Sequence, residues 1–178
     1  MAKTDTMIPW RRFWYSRESE AKLDLDGFLV DPEEEWAKYS PPGLLHSTET
    51  LDDRCVVFLG EPSSGKSKTL GAEGADRQQL EACIREQGNV AVWLDLRDFD
   101  ASQDLAKALE DEATIAQWKT IDGQKLFLFM DSLDECRLSI PTISNVLIRE
   151  LDKLPADRLM LRVICRTACR HSPKSVEI

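Results

Sequence analysis

The sequence predicts an α/β fold of three layers, in which helices cover both faces of a parallel sheet. Four apolar runs begin near Cys55, Val90, Leu126 and Leu159, and their nearly continuous apolar character is typical of strands buried on both faces. Helical patterns separate these runs, which favours right-handed crossovers between parallel strands. A glycine-containing turn directly follows the first run.

Length and composition narrow the possible functions. The 178 residues suffice for one domain with its own core. A net charge of −9 argues against a broad nucleic-acid-binding face, because such a face needs a basic surface. Five cysteines, an odd number, favour reduced thiols over a disulfide framework. No apolar run approaches the roughly 18 residues of a membrane span. We therefore expect a cytoplasmic protein with neither a membrane nor a nucleic acid as a partner of this domain.

The first 50 residues differ in character from the rest, and we divide the chain into 1–50 and 51–178. Within the first segment, Ile8 to Tyr15 combines four aromatic residues with two arginines. This aromatic-basic cluster is either a docking arm or base-pocket wall, or a segment folded back over apolar surface with its arginines at the rim. We favour the second interpretation. The segment is expected to pack on the core or to precede it.

Residues 60–67 fit the phosphate-binding pattern G-x-x-x-x-G-K-[ST] at every fixed position. Gly60 and Gly65 let the backbone turn so that its N–H groups approach phosphate oxygens. Lys66 is expected to reach the β- and γ-phosphates, and the Ser67 hydroxyl to bind Mg²⁺. The candidate nucleotide-binding residues are Gly60, Glu61, Pro62, Ser63, Ser64, Gly65, Lys66, Ser67 and Lys68.

A second candidate group follows the third apolar run. Asp131 comes directly after it and should emerge at the carboxyl edge of a buried strand, where its carboxylate can hold Mg²⁺ through water opposite Ser67. Asp134 or Glu135 could orient and deprotonate a water molecule for attack on the γ-phosphorus. The spacing does not choose between the two. The alternative interpretation is an acidic turn that caps the following helix.

The run Asp131-Ser132-Leu133-Asp134-Glu135 resembles the acidic motif of NACHT-type ATPases, which belong to the STAND class of signal-transducing P-loop ATPases. Residues 93–97 resemble the second core strand of that family, and residues 163–167 its fourth. In the family an arginine after the fourth strand senses the γ-phosphate, and Arg166 holds that position here. Arg166 could equally form an ion pair with Asp131 or Asp134. The resemblance covers residues 51–178.

The resemblance implies an ASCE-like P-loop NTPase fold with five strands in the order 5-1-4-3-2. Four core strands are predicted here, and only residues 175–178 remain for the fifth, so we expect it to be truncated or missing. The strand before the phosphate-binding turn would then lie at an edge. We expect another segment of a longer protein, the chain's own N-terminal segment or another copy of the chain to cover such an edge.

The resemblance also implies a switch that uses ATP or ADP with Mg²⁺, of a kind common in bacterial antiviral defence. Two activities stay open: slow ATP hydrolysis, or a nucleotide-gated interaction module without significant turnover. The presence of both Asp134 and Glu135 favours slow ATP hydrolysis. A small-molecule phosphotransferase is less favoured, since no arginine-rich lid segment is present.

Three helical predictions complete the chain. One helix should run from Asp76 to Gln87 and stop at Gly88. A single helix should cover residues 102–119, and another should begin at Pro141, where proline suits the first turn. The apolar stripe of this last helix is Ile143, Val146, Leu147, Leu151 and Leu154.

Overall fold

The computed structural model describes residues 13–17, 43–60, 70 and 74–166. The chain divides into two compact units, Met1–Thr50 and Leu51–Ile178. The predicted fifth strand, at 175–178, lies outside the described residues.

In the first unit, β1 (Trp14–Tyr15) pairs antiparallel with β2 (Leu44–Leu45), and a 3-10 turn covers Ser47–Thr50. The ring of Phe13 meets the ring of His46 edge-on, with 5.0 Å between centroids. Three members of the aromatic-basic cluster, residues 13–15, are described, and both interpretations of that cluster stay open.

The second unit contains a sheet of four parallel strands, which confirms the predicted α/β class. The strands are β3 (Cys55–Gly60), β4 (Val90–Asp95), β5 (Leu126–Asp131) and β6 (Leu159–Arg166). Their order in the sheet is β3-β6-β5-β4. Counted within this sheet alone, the order is 1-4-3-2. That is the order expected without the fifth strand.

Within the described part of the chain, four helices connect these strands: α1 (Ala75–Glu86), α2 (Ser102–Asp111), α3 (Ala113–Lys119) and α4 (Ile140–Leu151). Both ends of α1 lie within one residue of the predicted ends. The helix stops before Gly88, which takes a φ of +75°. Ser139 caps α4 by accepting the Thr142 N–H at 3.3 Å, and Pro141 lies in the first turn as predicted. Among the described residues, no helix combines the length and the apolar character that crossing a membrane requires.

Helices cover both faces of the sheet. Residues 126–130 of β5 are at most 2 % exposed, as expected for a central strand. On one face, Leu126, Leu128 and Met130 join Val92 in a core with α2, α3 and α4. Side chains alternate between faces along a strand. Trp93 therefore lies on the other face, where α1 covers it through Arg77. The three predicted layers are present.

The prediction of a single helix over 102–119 is wrong, because the chain leaves helical geometry at Glu112, with φ −64° and ψ 111°. Leu105 and Leu109 are buried in α2, and Ile115 and Trp118 are buried in α3. At about 100° per residue, one straight helix would place these two pairs about 130° apart. The break lets both pairs enter the same core. The Glu112 Oε1 atom accepts the Thr114 N–H at 3.2 Å and caps α3.

Within the described residues, β3 has one strand neighbour, β6. Its Val57 side chain is 50 % exposed and its Leu59 side chain 39 %. The described part of the sheet thus places β3 at an edge.

Candidate functional site

The carboxyl edge of the sheet brings together residues from all four strands. All four strands run parallel, so their carboxyl ends meet at one edge. Gly60 at the end of β3 lies opposite Arg166 of β6, and Asp95 of β4 lies opposite Asp131 of β5. The predicted phosphate-binding residues after Gly60, at 61–68, lie outside the described residues.

Arg166 contacts both members of the predicted acidic pair. Its backbone N–H donates to the Asp134 Oδ1 atom at 2.9 Å, and its Nε atom lies 3.3 Å from Oδ2 of the same residue. A terminal guanidinium nitrogen of Arg166 donates to Glu135 Oε1. The three residues predicted to be catalytic are therefore in direct contact, although their roles stay predictions. Asp134 is the more enclosed of the two acids, with 15 % of its side chain exposed against 31 % for Glu135.

A sharp turn after β5 positions the acidic pair. Ser132 takes a φ of +60°, a left-handed conformation that costs a residue with a Cβ atom about 1 kcal/mol. Its N–H donates to the Asp131 Oδ1 atom at 2.7 Å, and its carbonyl accepts the Glu135 N–H at 3.0 Å. These bonds close the 3-10 turn Leu133–Glu135, and the contacts of Arg166 with Asp134 hold the turn against the end of β6. The following helix α4 is capped by Ser139, so the acidic run does not cap it.

The Asp131 carboxyl is half-buried beside other carboxylates. Burial raises its pKa above the ordinary value, the Ser132 N–H opposes this, and the charges of Asp95 and Glu135 add to the rise. A half-buried carboxylate among like charges suits a bound cation. Mg²⁺ in nucleotide sites commonly takes one or two carboxylates together with phosphate oxygens and waters. Asp131 fits that role, while its predicted co-ligand Ser67 lies outside the described residues.

No cluster of three or more His, Cys, Asp or Glu side chains arranged to hold a metal occurs among the described residues. No disulfide joins the four described cysteines, Cys55, Cys83, Cys136 and Cys165.

Arg97 belongs to the same edge and was absent from the predicted site. Its Nε atom lies 3.0 and 3.1 Å from the two Asp95 carboxylate oxygens, and its NH1 atom lies 3.6 Å from Glu135 Oε2. The hydrogen bond from Arg97 lowers the pKa of Asp95, and Asp95 in turn raises the pKa of Arg97. The local signal was present in the sequence, since an aspartate at a strand end commonly accepts the N–H two residues later, as Asp95 does at 3.0 Å.

The formal charges at this edge do not cancel. Among the described residues of this edge, four carboxylates (Asp95, Asp131, Asp134 and Glu135) face two guanidinium groups (Arg97 and Arg166), which leaves a net charge of −2. A triphosphate could approach only if further positive charge were supplied there.

Comparisons with known proteins leave the family open. No family model matches the chain, and no curated protein matches it. A solved structure with some likeness is that of C. elegans PCH-2, at 14% sequence identity and a TM-score of 0.40. The match covers 72% of this chain and 34% of that one, so the chain spans about a third of its length. A likeness at this level carries no functional argument.

Proposed function

We propose that the chain binds Mg·ATP at the carboxyl edge of its parallel sheet and hydrolyses it slowly, as the nucleotide module of a STAND/NACHT-like switch. The observation that carries the proposal is the contact between Arg166 and the pair Asp134 and Glu135, beside Asp131 and Gly60. Chemistry-bearing residues from distant parts of the sequence meet where the phosphate-binding motif begins.

The charge balance supports nucleotide binding with a metal. The described part of the edge carries a net −2, so a bound triphosphate needs compensation. Lys66 and Lys68 of the motif, the N-terminus of the helix expected after it, and Mg²⁺ would supply that charge. Asp131 and Ser67 would hold the metal, which would neutralise charge that develops on the phosphates.

The acidic pair would supply the general base for hydrolysis. Asp134 or Glu135 would accept a proton from a water molecule aligned with the γ-phosphorus. Arg166 would stabilise the γ-phosphate oxygens through its guanidinium group. For this it must exchange at least one carboxylate partner for phosphate. The same exchange would free a carboxylate to act as the base.

The second candidate function is a nucleotide-gated interaction module with negligible turnover. One observation favours it: in this state both acidic side chains are engaged by arginines, Asp134 by Arg166 and Glu135 by Arg166 and Arg97. All four oxygens of the two carboxylates face arginine nitrogens, so a water molecule would have to compete with those contacts. If bound nucleotide does not release these two carboxylates from the arginines, the chain would bind nucleotide without hydrolysing it.

The wider role rests on the resemblance over residues 51–178. A STAND/NACHT-like switch would couple nucleotide exchange to self-association or to contact with other segments of a longer protein. Bacterial antiviral defence would be one setting for such a switch.

Steady-state phosphate release, with ATP binding followed separately by calorimetry, tests the proposal. We expect Glu135→Gln or Asp134→Asn to leave ATP affinity within about three-fold and to lower turnover by about 10²-fold, because a general base acts mainly in the transition state. Lys107→Gln, an exposed substitution on α2, serves as the matched control. ATP binding without measurable turnover of the unmodified chain would favour the second candidate. Absence of ATP binding would refute both.

A further inference from the structure

The structure contains a cleft away from the proposed nucleotide site, along the outer edge of β4. The cleft has a volume of about 410 Å³ and is lined by residues 90–93, by Arg77, Glu81 and Arg85 of α1, and by Glu112 and Thr114. In the sheet order β3-β6-β5-β4, strand β4 lies three positions from β3. At 4.7–4.9 Å per strand, the cleft lies roughly 14 Å from the strand that precedes the phosphate-binding motif.

The floor of the cleft is the open side of β4. Within the described residues β5 is its one strand neighbour, and the Val90 N–H donates toward that side, to Lys125 O at 3.1 Å. Backbone groups of successive residues point to alternate sides of a strand. The N–H and C=O groups of Ala91 and Trp93 therefore point away from β5, into the cleft. An edge with such groups can pair with another extended chain.

The walls of the cleft determine which kind of molecule fits there. The helices α1 and α3 lie on opposite faces of the sheet, so α1 and the Glu112–Thr114 turn stand on either side of the β4 edge. A single extended peptide fits between two such walls. A second copy would have to insert its own β4, which is flanked by the same two walls. The geometry thus favours a peptide over a second copy.

Charge defines the side chain that the peptide should carry. Both cleft carboxylates are engaged, since Glu81 accepts from Arg77 at 2.8 Å and Glu112 caps α3. Arg85 is exposed and has no ion pair among the described residues. An aspartate or glutamate of the peptide would supply the partner that Arg85 lacks.

One further donor lies at the cleft. The indole Nε1–H of Trp93 is buried and has no hydrogen-bond partner in the described part of the chain. The ring itself is fixed, because it stacks on Phe129 at 3.8 Å with an interplanar angle of 7° and the Arg77 guanidinium lies 4.3 Å from its centroid. This N–H would donate to the carbonyl oxygen of a peptide that packs against the ring.

We propose that the β4 cleft binds an extended acidic peptide of another protein by strand addition. The peptide pairs with the backbone of Ala91 and Trp93, and one of its carboxylates binds Arg85. This function is separate from nucleotide binding and does not depend on it.

Random ten-residue peptides displayed on phage and selected on the full chain provide the test, followed by fluorescence anisotropy of the enriched peptides. We expect these peptides to contain Asp or Glu and to lack Pro at alternate positions. Ala91→Pro, which removes one outward N–H, and Arg85→Glu should each weaken binding by about three- to ten-fold or more. Lys107→Glu, an equal charge reversal outside the cleft, should leave it unchanged. Amide exchange should slow at Ala91 and Trp93 when peptide binds.

Three results would overturn the proposal. The first is the failure of any peptide to be enriched, or equal binding by all the variants. The second is slow exchange at Ala91 and Trp93 without peptide, since a segment of this chain would then cover the edge. The third is dimerisation that Ala91→Pro abolishes, which would assign the edge to a second copy.

Discussion

Arg166 is the central residue of the proposed switch. It binds Asp134 and Glu135 in this structure, and it lies at the end of the strand beside β3. The sequence places Arg166 directly after an apolar run, so its location at the edge was predictable. The ion pair with Asp134 was one of the alternatives that the sequence left open. The contact with Glu135 was not predicted, because it depends on the left-handed turn at Ser132, which has no distinct sequence pattern.

We expect Arg166→Ala to narrow the difference in affinity between ATP and ADP. A guanidinium that contacts the γ-phosphate favours ATP alone, and a charged hydrogen bond is worth about 1.5–3 kcal/mol. Calorimetric titration with both nucleotides measures the difference. Arg149→Ala, which removes an exposed arginine of an ion pair on α4, is the control. Equal losses for ATP and ADP would mean that Arg166 serves only to hold the acidic pair.

Asp131→Asn should stabilise the nucleotide-free chain at pH 7 while weakening Mg²⁺-dependent ATP binding. The folded state raises the pKa of Asp131 above 3.8, so at neutral pH its ionised form is held at a cost in stability. As the pH falls through the raised pKa toward 3.8, the carboxyl is protonated and the cost disappears. The advantage of the Asn variant should therefore shrink on acidification. Urea midpoints at pH 7 and pH 5 test this, and a lower midpoint for Asn at pH 7 would contradict it.

At the scale of elements, continuous apolar runs were sufficient to predict all four strands of the sheet. The break between α2 and α3 was missed, because it depends on how two pairs of apolar side chains reach one core. A similar limit applies to Arg162, which lies in the predicted apolar strand β6 and is 1 % exposed. Burial lowers its pKa to about 10, and its guanidinium lies 5.3 Å from the Phe127 ring centroid. A buried charge of this kind has no signal in a strand pattern.

Glu112→Ala should destabilise the fold by about 1 kcal/mol, since it removes the side chain that caps α3. The neighbouring substitution Asp111→Ala removes an exposed acid that caps nothing, and it should change stability by less than about 0.5 kcal/mol. Urea unfolding of both variants gives the comparison. Equal effects would show that the break at Glu112 does not depend on its carboxylate.

At the scale of the whole molecule, the open question is what covers β3. We expect the purified chain to self-associate through this strand, where Val57 and Leu59 are exposed. Val57→Glu should lower the mass measured by light scattering, because a charge on the strand opposes pairing. Ile148→Glu replaces an apolar residue on α4 that is even more exposed, at 61 %, and should leave the mass unchanged. A monodisperse monomer of the unmodified chain would show that β3 needs no second copy.

The four described strands of the sheet could be predicted from the sequence, because strands buried on both faces form continuous apolar runs. The candidate site followed only in part. Its residues could be placed at one edge, but the ion pairs of Arg97 and Arg166 depend on the turns after β4 and β5. The division at residue 50 and the roles of residues 61–68 stay predictions.

The most direct test of the central claim is calorimetric titration of the chain with Mg·ATP, with and without Lys66→Ala. We expect the unmodified chain to bind Mg·ATP saturably. The Lys66→Ala variant should lose about ten-fold or more in affinity, because Lys66 supplies positive charge that the described part of the edge lacks. Circular dichroism should show the variant folded, and Lys107→Ala should bind like the unmodified chain. Equal affinity of the unmodified chain and Lys66→Ala, or no binding by either, would contradict the account.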